Sequence, residues 1–258
     1  MNTDTLVAAA EAAADVAGAV IRPFFRAGLA IDHKADRTPV TVADRTAEQT
    51  MRAVLGERFP EHGVQGEEFG IDRPEARLRW VLDPIDGTKA FITGRPLFGT
   101  LIALMENGRP ILGVIDQPVT RERWVGVAGR RTRFLGMFGG KAGCRTCPAL
   151  SEAELSCTGP YLLGSDAARW ERLAAQVRRV SWGGDCYAYG LLALGQLDII
   201  AESTMKVWDW AALVPVIEGA GGRITDWDGE PLRPDGDGRV LAVGDPALLQ
   251  VAVSALAG

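Results

Sequence analysis

A chain of 258 residues with 47% hydrophobic and 24% charged residues has ordinary globular composition and the length to bury a large core, as one α/β domain or two intimate subdomains. Its 28 basic against 33 acidic residues leave a formal charge of −5, which argues against a nucleic-acid or anionic-membrane binder working by bulk charge; an anionic ligand must be met by a local device. With only His33 and His62, a histidine-rich zinc centre is nearly excluded, and carboxylates become the first candidates for chemistry.

The opening Met-Asn-Thr-Asp-Thr-Leu has no basic segment followed by an apolar run, and no stretch approaches the ~20 apolar residues of a membrane span, so a cytoplasmic protein is expected. Leu6, Ala10, Ala13, Ala17, Val20, Ile21 and Phe24 recur at helical spacing and predict a first amphipathic helix. A second helix fits Asp44 to Phe59, with Ala47, Met51, Val54 and Leu55 on one side and Pro60 past its end. Trp80-Val81-Leu82 reads as a short strand stopping at Asp83-Pro84. Two apolar runs, Leu97 to Met105 and Pro110 to Ile115, flank Asn107-Gly108, a strong hairpin signal. Trp124 to Val127 adds a strand, and the Gly- and Arg-rich stretch Gly129 to Gly143 reads as a surface connection without the P-loop pattern.

Beyond it, helices over Asp166 to Val177, Asp185 to Leu194, Asp209 to Gly219 and Pro246 to Leu256 alternate with strands at Val180 to Trp182, Leu197 to Ala201, Arg223 to Thr225 and Val240 to Val243. Such alternation implies a sheet between helices. The composition shift near residue 145 predicts an N-terminal α+β subdomain (1–145) carrying metal-binding carboxylates and a C-terminal α/β subdomain (146–258) carrying specificity residues, with the site between them. Four cysteines are too sparse for a disulfide scaffold. Cys144 and Cys147 have metal-ligand spacing but lack a second pair, and read as solvent-side loop thiols.

Acidic residues gather where strands end: Glu67 and Glu68 after the second helix, Asp83 and Asp86 after the Trp80 strand, and Asp209 at a helix start. Brought into one cleft, Glu67, Asp83, Asp86 and Asp209 repel one another unless a cation intervenes. All-oxygen ligation favours Mg²⁺, or Mn²⁺, over zinc, and such a cation is the usual partner of phosphate. Gly87 and Thr88 open the next segment, so their amides can bind a small anion. The combination points to phosphoryl chemistry.

Gly66-Glu67-Glu68, Trp80 to Thr88 with its Asp-Pro-Ile-Asp-Gly-Thr, and Trp208-Asp209 followed by Glu218 to Gly222 resemble, in order, the three signature segments of the inositol monophosphatase superfamily. The resemblance implies a five-layered αβαβα sandwich, a small phosphorylated metabolite as substrate, two or three Mg²⁺ per site, and a homodimer. It assigns Glu67, Asp83 and the Ile85 carbonyl to one metal, and Asp83, Asp86 and Asp209 to a second. Thr88 and Asp44 would activate the nucleophilic water, with Glu68 orienting it or a metal ligand, although Asp44 also reads as a helix cap. Lys34 and Lys89 read as solvated lysines or as screens for phosphate.

Substrate choice is sought in the second half. Gly184-Asp185-Cys186-Tyr187-Ala188-Tyr189-Gly190 departs from the Gly-Thr common in inositol-type members and resembles the histidinol-phosphatase branch. Asp86, Gly184, Asp185 and Glu202 are the expected substrate contacts; Glu202 also matches a substrate-contacting glutamate of inositol-type members, so Asp185 carries the distinction, although it serves equally as a helix cap, and Tyr187 and Tyr189 as core or subunit-contact aromatics. The alternatives are inositol monophosphatase, fructose-1,6-bisphosphatase or nucleotide 3′-phosphatase activity, or a catalytically silent binding protein.

Overall fold

A computed structural model describes residues 2–27, 32–33 and 39–258; Lys34 lies outside the described residues. Helix α1 (Thr3–Ile21) starts where Asn2 accepts the Asp4 N–H and buries a ladder of alanines ending at Ile21. A short ribbon, β1 (Asp32–His33) with β2 (Pro39–Val40), leads to α2 (Val42–Arg58). That helix begins two residues before Asp44, because Thr41 caps it and Asp44 closes the capping box.

The first sheet orders β4 (Gly70–Asp72), β3 (Gly63–Gly66), β5 (Leu78–Asp86), β6 (Gly99–Glu106), β7 (Arg109–Gln117), β8 (Glu122–Val127) and β9 (Arg133–Leu135). The hairpin at Asn107-Gly108 is present, with φ of 49° and 79° as a primed turn requires. Strand β5 does not stop at Asp83 but runs on to Asp86, with a register shift: Asp83 faces Leu101 while Asp86 faces Gly99. Positions three apart on a regular strand face opposite sides, and the one-residue bulge lets both carboxylates share a side. Strand β9 corrects the expectation that 129–143 is only a surface connection.

Helix α3 (Thr88–Ile92) leaves the end of β5. The second sheet orders β11 (Arg179–Trp182), β10 (Glu154–Cys157), β12 (Ile199–Glu202), β14 (Val240–Val243) and β13 (Arg223–Thr225). Between the sheets lie α5 (Asp185–Leu192), α6 (Val207–Trp210) and α7 (Leu213–Gly219); α4 (Ala167–Ala174) and α8 (Leu249–Ala257) cover the far side. With α1 and α2 on the near side, this is the five-layered αβαβα sandwich. The single helix expected over Asp209–Gly219 is two. Pro215, in the first turn of α7, has no N–H for the Ala211 carbonyl, and the helix breaks one turn before it, at Ala211-Ala212.

The middle helices meet the first sheet backbone to backbone. A Cβ at Gly113 would overlap the Ala212 carbonyl, and one at Gly126 would overlap Pro215. Gly126→Ala is therefore expected to destabilise by about 2 kcal/mol, lowering Tm by roughly 4–8 °C, as thermal unfolding would read. Cys147 is 4% exposed, which corrects its reading as a surface thiol: it packs in the apolar cluster behind the second sheet. All four cysteines are free thiols.

Candidate active site and metal centre

Strand β5 delivers Asp83 and Asp86 and helix α6 delivers Asp209, with one carboxylate oxygen from each lying within 4.8 Å of the others. Asp83 is buried, and its Oδ1 accepts the Ile85 N–H at 3.0 Å. Asp86 Oδ2 accepts the Cys186 N–H at 2.6 Å, tying the end of β5 to the first turn of α5. Asp209 Oδ2 accepts the Lys206 N–H at 2.6 Å across its helix start.

Burial, followed by repulsion from Glu67, Asp86, Asp209 and Asp44, holds the Asp83 carboxyl well above the usual carboxylate range. Burial and then Asp185 and Asp209 do the same to Asp86. Burial pushes Asp209 up to about 7, against the Lys206 amide that stabilises its anion. Asp44, Glu67 and Asp185 thus belong electrostatically to the same cleft as the three clustered carboxylates. An oxygen-only donor group strained by its own charge fits a hard divalent cation.

The predicted Thr88–Asp44 pair is not the arrangement observed. Thr88 Oγ1 donates to the Ile85 carbonyl at 3.1 Å, while Asp44 Oδ2 accepts both the N–H and the hydroxyl of Thr41, at 2.8 and 2.5 Å. The capping box takes Asp44 locally, and the hydroxyl one turn from Ile85 finds the nearer carbonyl. The Ile85 carbonyl expected to bind metal is therefore the acceptor of Thr88.

Gly87 has a left-handed φ of 90° as it enters α3, followed across the cleft by Gly184 at 117° and Asp185 at 42°. A Cβ at Gly87 would come within 3.0 Å of the Asp185 carboxyl carbon, so glycine there lets Asp185 lie against the turn that follows Asp86. Asp185 is pushed up to about 6, mainly by burial and partly opposed by Lys89. The Lys89 ammonium sits 4.0 Å from the Tyr161 ring centre. Glu202, at the end of β12, is buried; its Oε1 accepts the Thr158 N–H and hydroxyl at 2.8 and 2.9 Å. Burial raises its pKa to about 7 despite those bonds. A cleft of about 120 Å³ brings Asp86, Asp185, Glu202 and Asp209 together with Tyr189 and Thr158. Tyr187 instead packs edge-on against Trp124 and donates to Glu122.

Two residues of this region escape the sequence reading. Thr158, which holds Glu202, lies in a stretch without a helical or alternating pattern. Glu48, fully buried, accepts the amides of Glu68 and Phe69; its signal was an acidic residue on the face of α2 defined by Ala47, Met51 and Leu55.

The inositol monophosphatase family profile matches residues 2–257. The chain belongs to this family. It is 46% identical to a bifunctional phosphatase, IMPL2, of Arabidopsis thaliana, over 98% of this chain and 75% of the relative. It is 42% identical to a histidinol-phosphatase of Mycobacterium tuberculosis, covering 89% of this chain and 90% of that one. Among solved structures, an inositol monophosphatase from Zymomonas mobilis superposes with a TM-score of 0.91 at 49% identity, over the whole of both chains. The protein is accordingly a phosphoric monoester hydrolase of a metal-dependent family. No helix among the described residues is long and apolar enough to cross a membrane.

Proposed function

We propose that the enzyme hydrolyses L-histidinol phosphate to L-histidinol and phosphate, with two or three Mg²⁺, or Mn²⁺, per site, as a cytoplasmic homodimer. The observation that carries the substrate is the second acidic group: Asp185 and Glu202 line the cleft beyond the clustered aspartates. A substrate with an ammonium and an imidazole at the end away from its phosphate gives Asp185 a cationic partner that a neutral polyol lacks; Glu202, already accepting the Thr158 N–H and hydroxyl, discriminates less between the two. The histidinol-phosphatase relatives, one of them 42% identical, support the same choice.

Asp83, Asp86 and Asp209, with Glu67 and the Ile85 carbonyl, are the residues that would hold Mg²⁺. The chemistry such cations supply is a more acidic water and neutralisation of the phosphate and leaving oxygen. The chain's own work is orientation. The turn at Gly87 and Thr88 offers amides to the phosphate oxygens, fixing phosphorus for in-line attack. Once Thr88 turns from the Ile85 carbonyl, its hydroxyl accepts the proton of the attacking water and passes its own to the Asp44 carboxylate, and Glu68 orients that water or a metal ligand. Asp185 and Glu202 hold the cationic end of the substrate, with Gly184 allowing the turn that aims Asp185.

Inositol monophosphatase activity is the second reading, favoured by the Zymomonas mobilis neighbour at 49% identity. Replacing Asp185 by Thr separates the two. Loss of a charge-assisted contact is expected to raise KM for histidinol phosphate about 10- to 100-fold, leaving an aryl phosphate with no cationic group within about threefold. Equal effects on both esters would remove Asp185 from substrate recognition.

A further inference from the structure

Glu67 reaches the cleft from a short turn between β3 and β4, a segment with little apolar content of its own to fix it. The Glu67 N–H donates to the Leu82 carbonyl at 3.2 Å, anchoring the start of the turn to β5. The rest is held from α2. Glu48 Oε2 accepts the Glu68 N–H at 2.8 Å, and its Oε1 accepts the Phe69 N–H at 3.3 Å and Arg52 Nε at 2.7 Å. Arg52 then grips the far limb, donating to the Gly70 carbonyl at 2.5 Å and to Asp72 Oδ2 at 2.8 Å. Gly66 completes the fit, because any Cβ there would overlap the Glu48 carboxylate.

A buried ion pair is an expensive way to pack a helix against a turn. The neighbouring buried positions of α2, Ala47, Met51 and Leu55, pack into the core with apolar side chains, and a well-packed apolar replacement of a buried ion pair is often neutral or stabilising. What the carboxylate adds is direction, since it fixes two consecutive amides immediately after Glu67. It also stands one helical turn beyond Asp44, so the same helix places both.

We propose that Glu48, braced by Arg52, is a positioning residue that aims Glu67 at the metal centre and thereby sets metal affinity. This rests on the reading of Glu67 as a metal ligand. The test is Mn²⁺ binding to the chelator-treated full-length protein without substrate, by calorimetry and by the paramagnetic resonance signal of free Mn²⁺. It is run on wild type, E48Q, E67Q, R52K and the double variants E48Q/E67Q and R52K/E67Q. By analogy with other residues that orient metal ligands, E48Q should weaken the tightest site about 10-fold, and R52K less. Turnover at saturating metal should return to within about threefold of wild type in both.

The double variant distinguishes positioning from general loosening. If Glu48 acts through Glu67, adding E48Q to E67Q costs little further affinity; if it only supports the fold, the two losses add. Additive losses, or wild-type Mn²⁺ affinity in both E48Q and R52K, would overturn the proposal. Wild-type affinity in E67Q would instead overturn the reading of Glu67 as a ligand. Should E48Q not fold, R52K carries the same comparison in the E67Q background.

Discussion

Asp83→Asn is expected to lower metal-dependent phosphate release on the order of 10³-fold or more while leaving the metal-free protein as stable as wild type or more so. Both halves follow from where Asp83 sits. It is buried, it shares the cleft with Asp86 and Asp209, and its carboxyl is held well above the usual range by burial and by four neighbouring acids. An amide removes the charge that causes this repulsion and keeps an oxygen for the Ile85 N–H, so folding without metal gains. The same change removes one of the anions that would share a cation. Phosphate release in excess Mg²⁺, set beside melting of chelator-treated protein, reads the two effects. Unchanged turnover would contradict the metal scheme. A large fall in metal-free stability would show that Asp83 is structural.

The second large effect is a dependence of stability on pH that added metal reverses. Glu202 and Asp209 are each raised to about 7 and Asp185 to about 6, in every case chiefly by burial. A carboxyl raised in this way keeps its proton in the folded chain at a pH where the unfolded chain has released it. Stability is then greatest below the unfolded carboxylate range near 4 and falls as pH rises through about 7. Metal-free protein should accordingly lose on the order of 5 °C in Tm between pH 5 and pH 8. Mg²⁺ should restore more stability at pH 8 than at pH 5, because it binds the deprotonated site of the folded state alone. A metal-free Tm that rises across this interval would show that the acidic cleft is compensated by the protein itself.

Much of the architecture was legible where local pattern and tertiary role coincide. The alanine spacing of α1 is the face it buries, and Asn107-Gly108 supplies the turn its hairpin needs. The carboxylates at Asp83, Asp86 and Asp209 were legible as chemistry because hydrophobic burial does not explain acids at the ends of apolar runs. What escaped is what neighbours impose. Gly63–Gly66 and Glu154–Cys157 become strands through pairing with β5 and with β11 and β12, and their short sequences carry no clear alternation. The end of β5 was misread because proline after an apolar run signals a stop, whereas here it falls in a bulge that the partner strand accommodates.

The site shows the same division. Thr41-Val42-Ala43-Asp44 carries both a capping signal and a catalytic resemblance, and the observed hydrogen bonds realise the cap. Local hydrogen bonding can be read from a four-residue spacing, but the approach of Thr88 to Asp44 depends on how α2 and β5 pack. Glu48 escaped for a related reason: its partners are backbone amides 20 residues away, which no side-chain pattern announces.

On the proposed reading, the cleft of this metal-dependent phosphatase suits a cationic phosphate ester. The most direct test is steady-state phosphate release with Mg²⁺ from L-histidinol phosphate, inositol 1-phosphate, fructose 1,6-bisphosphate and a nucleoside 3′,5′-bisphosphate. The kcat/KM for histidinol phosphate is expected to exceed that for each other ester by at least about 10-fold, the ratio given by one well-used charged contact. Equal or faster hydrolysis of inositol 1-phosphate would contradict it.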